Sequence, residues 1–277
     1  MDPILQALIM GIVQGLTEFL PVSSSGHLII LPELLGWGDP FIDSLAFSVM
    51  LHVATLAALL GYFRADWRRL VPAGLATVRD RSFRGDADRR LAWLLAATTV
   101  PAIVVGLALD EPIATVFREA RLVAVTLVVG AAILWLADRW ATQHRRIGDI
   151  GFRTAIGIGA AQALALVPGI SRSGISISAG LVAGLDRESA ARFSFLMATP
   201  ITALAGAWEA RKLLTGEAGV DVAIEPLVVG MLAALASGVA AIAILLRFLR
   251  THSLGVFIVY RVSLAAAIVA WWLGVGG

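Results

Sequence analysis

The sequence contains no cysteine and little charge. Asp, Glu, Lys and Arg make up only 15% of the 277 residues. The absence of cysteine excludes a disulfide framework, a thiolate zinc site and a cysteine nucleophile. The chain is 58% hydrophobic, with a mean hydropathy of +0.85, which lies outside the range of ordinary soluble domains. We therefore predict an integral membrane protein whose surroundings are the lipid bilayer.

The basic residues follow a membrane pattern. The pI is about 9.6, but the arginines lie mainly in short segments between apolar runs, which is how membrane topology is encoded. We therefore expect no nucleic-acid partner. No basic segment precedes the first apolar run, so a cleaved signal peptide is not expected.

Several apolar runs are long enough, at about 20 residues, to cross a bilayer as helices. The six predicted spans are 45–63, 91–109, 121–138, 190–208, 226–247 and 254–273. Two further apolar regions, 3–36 and 153–185, are interrupted near the middle by Pro, Gly and Ser. Each interrupted region predicts a broken helix that enters and leaves the membrane on one side.

The two interruptions are repeats of each other. Gln14 and Ser23 recur as Gln162 and Ser171, at a constant offset of 148 residues. Each half then holds one hairpin and three crossings, and an odd number of crossings inverts the second half. The predicted fold is an all-α polytopic membrane protein with six transmembrane helices and two re-entrant broken-helix hairpins in an inverted-topology repeat. We expect a single domain, 1–277, with halves of about 1–147 and 148–277.

The arginines orient this arrangement. Most of them fall on the side of the predicted loop 64–90, including Arg84. The opposite side has only Arg118, Arg121, Arg211 and Lys212. The positive-inside rule makes the loop side cytoplasmic, so the first hairpin enters from outside and the second from the cytoplasm. The two polar loops are then expected to meet near the membrane centre.

The first loop predicts a cation site. Gln14 and Glu18 are four residues apart and share a helix face, and Pro21 ends that helix, leaving carbonyls unpaired. Oxygen ligands of this kind suit Mg²⁺ or Ca²⁺. The alternative is that Glu18 pairs with an arginine and Gln14 bonds to backbone. Burying a carboxylate in a membrane costs about 2.5–3.5 kcal/mol on insertion scales, so we favour a functional role.

The second loop predicts a phosphate site. A new helix starts after each break, and serines such as Ser25 and Ser173 are suitable N-caps beside free N–H groups. Arg172 adds a guanidinium that binds phosphate oxygens in a bidentate manner. Alternatively, Arg172 pairs with Glu18 across the repeat and the serines only cap helices. Both arrangements are compatible if the ion pair is the resting state.

Two histidines and one arginine remain. His27, beside the first loop, is placed to act as general base, general acid or phosphoryl acceptor. His52, within the first predicted span, is either a partner of a site residue or a helix-contact residue, and we favour helix contact. Arg261 lies in an apolar run, where it either binds lipid phosphate or neutralises a carboxylate.

These residues resemble a known family. The segment from Gln14 through Glu18 to His27, with Pro168 to Ser173, is similar to the undecaprenyl-pyrophosphate phosphatases, also called bacitracin-resistance proteins. The similarity extends over essentially the whole chain, and the family pattern has threonine where this chain has Ser176. The resemblance adds Ser176 to the expected phosphate-binding residues, which are Ser23, Ser24, Ser25, Ser171, Arg172, Ser173 and Ser176.

The resemblance implies hydrolysis of undecaprenyl pyrophosphate to the monophosphate, which recycles the lipid carrier of peptidoglycan synthesis. It implies a site open to the outer face of the bacterial cytoplasmic membrane, a divalent cation held by Glu18 with Gln14, and transition-state stabilisation by Arg172. His27 would transfer protons. The attacking group is water, a serine such as Ser25, or His27.

A transporter or flippase of polyprenyl phosphate is the competing class. Inverted repeats with broken helices are common in transporters, which would use the same sites without cleaving a bond. Glu18, His27 and Arg172 together favour hydrolysis. The sequence does not fix the oligomeric state and allows a homodimer.

Overall fold

The chain is almost entirely helical. A computed structural model describes residues 1–82, 86–108, 120–215, 217 and 221–275, and no strand occurs among them. The helices are α1 Pro3–Phe19, α2 Ser24–Leu35, α3 Leu45–Tyr62, α4 Arg64–Asp80, α5 Ala87–Ala108, α6 Ala120–Trp140, α7 Phe152–Ala163, α8 Arg172–Val182, α9 Arg187–Thr215, α10 Ile224–Phe248 and α11 Gly255–Val275. The predicted all-α class is confirmed.

Six helices are long and apolar enough to cross a membrane, namely α3, α5, α6, α9, α10 and α11. They correspond to the six predicted spans, so the chain is a multi-pass membrane protein. The predicted end of the second span at residue 109, and Arg84 and Arg118 in the topology argument, lie outside the described residues.

The two helix breaks have the same local construction. Ser23 and Ser171 both adopt left-handed backbone, with φ of 76° and 73°, one residue before α2 and α8. Each serine hydroxyl accepts a hydrogen bond from the N–H three residues later, at Gly26 (3.4 Å) and Gly174 (3.1 Å). Such a cap satisfies an otherwise free helix N–H. The repeat seen in the sequence is therefore also a repeat of backbone conformation.

The first helix of each half packs on a span of the other half. Helix α1 packs on α10, and its counterpart α7 packs on α5. Gly11 allows α1 to lie close to α10, because a Cβ at this position would lie 2.9 Å from the Ala233 Cβ. Gly159 does the same for α7 and α5, because a Cβ there would lie 2.5 Å from the Thr98 carbonyl oxygen. Gly11 and Gly159 are themselves separated by the repeat offset, and small residues allow close helix contact in membranes. The re-entrant course and the inversion stay predictions.

Helix α4 corrects the prediction of a loop over 64–90. Its sequence is too polar for a span, but Leu70 and Thr77 are buried at a spacing of two helical turns. The periodicity is therefore that of an amphipathic helix, which a search for long apolar runs does not detect.

Candidate active site

Both helix breaks open on one cavity of about 420 Å³. Most of its surface comes from apolar side chains such as Leu28, Ile29 and Ile201. The polar side chains that line it are Glu18, Ser24, Ser25, Ser48, His52, Gln162, Ser171, Arg172 and Thr202. A charged centre with apolar walls suits a ligand that has an ionic head and a hydrocarbon tail.

An ion pair joins the two breaks across the cavity. Arg172 Nη2 donates to Glu18 Oε1, while Arg172 Nη1 donates to Thr202 Oγ1 at 2.7 Å and to the Ala198 carbonyl at 3.3 Å. Glu18 is buried. The pairing expected for the resting state is therefore present. Thr202 comes from the distant helix α9, and no local sequence signal links it to the site.

The second oxygen of Glu18 contacts three further side chains. Glu18 Oε2 accepts hydrogen bonds from Ser24 Oγ at 2.6 Å and from Gln14 Nε2 at 3.0 Å, and it lies 3.4 Å from His52 Nε2. The other ring nitrogen of His52, Nδ1, lies 2.8 Å from the Ser48 carbonyl. Because a carbonyl only accepts, Nδ1 carries the proton and Nε2 faces Glu18.

The two histidines lie on different sides of the site. His27 does not line the cavity; its Nδ1 donates to the Ser23 carbonyl at 2.6 Å and its Nε2 lies 2.7 Å from the Tyr260 hydroxyl. His27 is directed toward α11 because its neighbours Ser24 and Leu28 occupy the cavity face of α2. The histidine beside Glu18 is His52, in agreement with the partner-residue alternative and not with the favoured helix-contact interpretation. The available sequence signal for His52 was its spacing of four residues from Ser48, which places the two residues on one face of α3.

The predicted phosphate-binding serines divide into two groups. Ser24, Ser25 and Ser171 line the cavity. The hydroxyls of the others form bonds within the protein: Ser23 accepts the Gly169 N–H at 3.1 Å, Ser173 donates to the Leu20 carbonyl at 3.0 Å, and Ser176 donates to the Arg172 carbonyl at 2.6 Å. Ser23 and Ser173 thereby connect the two breaks, where N–H and C=O groups would otherwise lack partners, whereas this bond of Ser176 lies within α8. Phosphate binding by these three serines stays a prediction.

Arg261 has a role that neither sequence alternative anticipated. Its side chain is 0% exposed and donates to the carbonyls of Pro21 (3.3 Å), Gly169 (2.7 Å), Ile170 (3.0 Å) and Leu127 (3.2 Å). It therefore binds backbone of both breaks and of α6, not a lipid phosphate or a carboxylate. Gly130 makes room for it, because a Cβ there would overlap Arg261 Nη2.

The residues at Glu18 fit an oxygen-binding cation. Gln14 Oε1 is buried and has no hydrogen-bond partner among the described residues, and Glu18 adds a carboxylate. No group of three or more His, Asp or Glu side chains suited to a metal occurs in the part of the chain that the structure describes. A cation held by Glu18 and Gln14 would have few protein ligands, as in sites where Mg²⁺ is completed by water and substrate phosphate.

Gln162 is a cavity residue that sequence reasoning noted only as the repeat partner of Gln14. It is 3% exposed and lines the cavity. Neither its amide nitrogen nor its amide oxygen has a hydrogen-bond partner among the described residues. A buried amide without a partner is costly, so this side chain is ready to bind a polar ligand.

The fold and the cavity define a class, that of polytopic helical membrane proteins with an ion-paired site built from two broken helices. The family described as Bacitracin resistance protein BacA matches residues 7–267. The chain belongs to this family.

Curated relatives are similar over nearly the whole chain. One from Gemmatimonas aurantiaca is 46% identical over 265 residues, covering 96% of each chain, and is named Undecaprenyl-diphosphatase. Proteins of the same name from Myxococcus xanthus (46% identical, 94% of this chain and 86% of the relative) and Desulforudis audaxviator (42%, 95% and 96%) are also similar.

Proposed function

We propose that this protein is a membrane phosphatase that hydrolyses undecaprenyl diphosphate to undecaprenyl phosphate and inorganic phosphate. The observation that carries the proposal is the ion pair between the buried Glu18 and the partly buried Arg172, which brings an acid and a cation suited to phosphate together beside apolar walls. The names of the relatives agree with this chemistry and favour it over transport.

The second half supplies most of the residues that recognise the diphosphate, and Ser25 of the first half adds to them. Arg172 is the charged donor, and it exchanges Glu18 for phosphate oxygens when the substrate binds. The amide of Gln162, which has no partner among the described residues, adds a neutral donor, and Ser171 and Ser25 present hydroxyls to the same cavity. The apolar side chains of the cavity accept the start of the isoprenoid tail.

The attacking group in this proposal is Ser24. Its hydroxyl donates a 2.6 Å hydrogen bond to Glu18, the relation between a nucleophile and its base. Ser24 Oγ attacks the terminal phosphorus, its proton passes to Glu18, and the bond to the bridging oxygen breaks, with undecaprenyl phosphate leaving. Water then hydrolyses the phosphoserine and inorganic phosphate departs. Arg172 stabilises the charge that develops on the phosphoryl oxygens.

In this proposal His52 is a second acceptor for the proton that Ser24 loses to Glu18. Its Nε2 lies 3.4 Å from Glu18 Oε2, close enough in this scheme to exchange a proton with the carboxyl group that receives one from Ser24. Protonated His52 would form an ion pair with Glu18. His27, bonded on both ring nitrogens away from the cavity, supports the α2 and α11 contact in this scheme.

A divalent cation, Mg²⁺ or Ca²⁺, is part of the proposal. Glu18 and Gln14 would hold it, and when bound it would neutralise charge on the diphosphate. We further propose that the protein lies in the bacterial cytoplasmic membrane with the cavity open to the outer face, where it recycles the carrier of peptidoglycan synthesis and confers bacitracin resistance. A homodimer is compatible with this function.

The test is phosphate release from undecaprenyl or farnesyl diphosphate by the detergent-purified protein, with Mg²⁺, with Ca²⁺ and with EDTA. Glu18→Gln and Arg172→Lys are compared with Glu217→Gln and Arg211→Lys, which change the same residue types in an exposed ion pair. Hydrolysis lost only in the first two variants supports the proposal. Binding of the lipid without phosphate release under any metal would overturn it and favour a flippase.

A further inference from the structure

We propose that α4 lies in the plane of the membrane surface and binds the head groups of anionic lipids. The helix follows the span α3 after a single residue, Phe63. It is not a span itself, since only six other helices among the described residues meet the length and hydropathy that a crossing requires. Its position and its exposed surface both indicate what it contacts.

Contacts of the inner face place α4 across the ends of the bundle. Asp66 pairs with Arg192 at 2.7 Å, near the start of α9, and Arg69 pairs with Asp88 at 3.3 Å, at the start of α5. Both spans therefore begin beside α4. A helix in this position lies where the hydrocarbon core gives way to head groups, and its outer face meets the same boundary.

The outer face carries an apolar stripe that the bundle leaves uncovered. Val71, Leu75 and Val78 follow one another at helical spacing and are 52%, 67% and 62% exposed. In water such a stripe is unfavourable, whereas beside a membrane it is buried among acyl chains. The inner face is occupied by the buried Leu70 and Thr77, so the stripe is not part of the protein core.

Two arginines border the stripe. Arg68 and Arg79 are exposed, and neither has a hydrogen bond or an ion pair within the described part of the chain. Their side chains reach head-group phosphates while their aliphatic stems lie along apolar surface. Exposed arginines beside an apolar stripe, at the end of a membrane bundle, are complementary to the negative surface potential of anionic lipids, which a zwitterionic surface lacks.

The chain has no cysteine, so single-cysteine probes need no other substitution. Leu75→Cys, labelled with bimane in nanodiscs, is quenched by doxyl lipids that carry the label near the head group or near the acyl-chain end. Thr251→Cys, in an exposed loop, and Leu232→Cys, on the exposed face of the span α10, are the shallow and deep controls. We expect strongest quenching of position 75 by the head-group-proximal label. Quenching no greater than at position 251 would overturn the proposal.

A second measurement tests the charge. The same label is quenched by doxyl phosphatidylglycerol or doxyl phosphatidylcholine at equal total content. We expect stronger quenching by the anionic lipid. The ratio of the apparent affinities for the two lipids should fall roughly fivefold in Arg68→Gln and again roughly fivefold when Arg79→Gln is added. Arg211→Gln, at the other end of the bundle, leaves the preference unchanged. Equal quenching by both lipids in the parent protein, or a preference that survives both substitutions, would refute anionic lipid binding even if α4 lies at the surface.

Discussion

Replacing Ser24 by alanine tests the proposed chemistry most directly, because the same substitution at the adjacent Ser25 provides a matched control. Both hydroxyls line the cavity, but Ser24 Oγ donates to Glu18 at 2.6 Å, whereas the one hydrogen-bond partner of Ser25 Oγ among the described residues is Ser23 Oγ, at 3.4 Å. Removing the hydroxyl that Glu18 would activate should cost at least the contribution of a general base, about 10²–10⁴-fold in kcat. Ser25→Ala removes at most one phosphate contact, and we expect a change of only a few fold.

Stability must be separated from catalysis in this comparison. Ser24→Ala also removes a hydrogen bond to a carboxylate, worth about 1.5–3 kcal/mol, so thermal unfolding of both variants is measured in the same detergent. KM should stay within a few fold, because the hydroxyl acts in the chemical step. Acid quenching during turnover of substrate labelled in the terminal phosphate should trap phosphoprotein in the parent and not in Ser24→Ala. If Ser24→Ala keeps more than about a tenth of the parent kcat, equivalent to less than about 1.4 kcal/mol of barrier, then water attacks directly and the reasoning fails.

Three further predictions concern the residues around Ser24. His52→Gln should lower kcat about tenfold or more, whereas His27→Gln should mainly lower the unfolding temperature; equal kinetic losses would contradict the assignment of the two histidines. Arg261→Met leaves four backbone carbonyls without their donor and should destabilise the protein by at least about 3 kcal/mol, with a related loss in Gly130→Ala, both read from thermal unfolding. EDTA should abolish phosphate release and Mg²⁺ or Ca²⁺ should restore it; a rate unchanged in EDTA would exclude the proposed cation.

Local sequence features predicted the spans and the breaks well. Long apolar runs and interruptions by Pro, Gly and Ser are visible in the chain itself, and the offset between Ser23 and Ser171 relates the two breaks. Glu18 and Arg172 were each recognisable as charges in an apolar environment. Their pairing could be anticipated because two loops with opposite charges and matching positions were expected to meet.

Features that depend on packing between distant elements could not be predicted in this way. Whether His27 or His52 faces Glu18 depends on how α2 and α3 are rotated about their axes, which their neighbours determine. Thr202 contacts Arg172 only because α9 packs on α8. Helix α4 escaped detection because its periodicity is amphipathic and its mean hydropathy is low.

The environment of Arg261 has a consequence for how the site tolerates mutation. Every acceptor that Arg261 uses is a main-chain carbonyl, so no side-chain substitution at Pro21, Gly169, Ile170 or Leu127 deletes an acceptor atom. The Glu18–Arg172 pair, in contrast, is lost through a change at either residue. The contacts that Arg261 makes with the two broken helices are therefore removed by a change at residue 261 itself and disturbed by any side chain at position 130, where only glycine leaves space for the guanidinium.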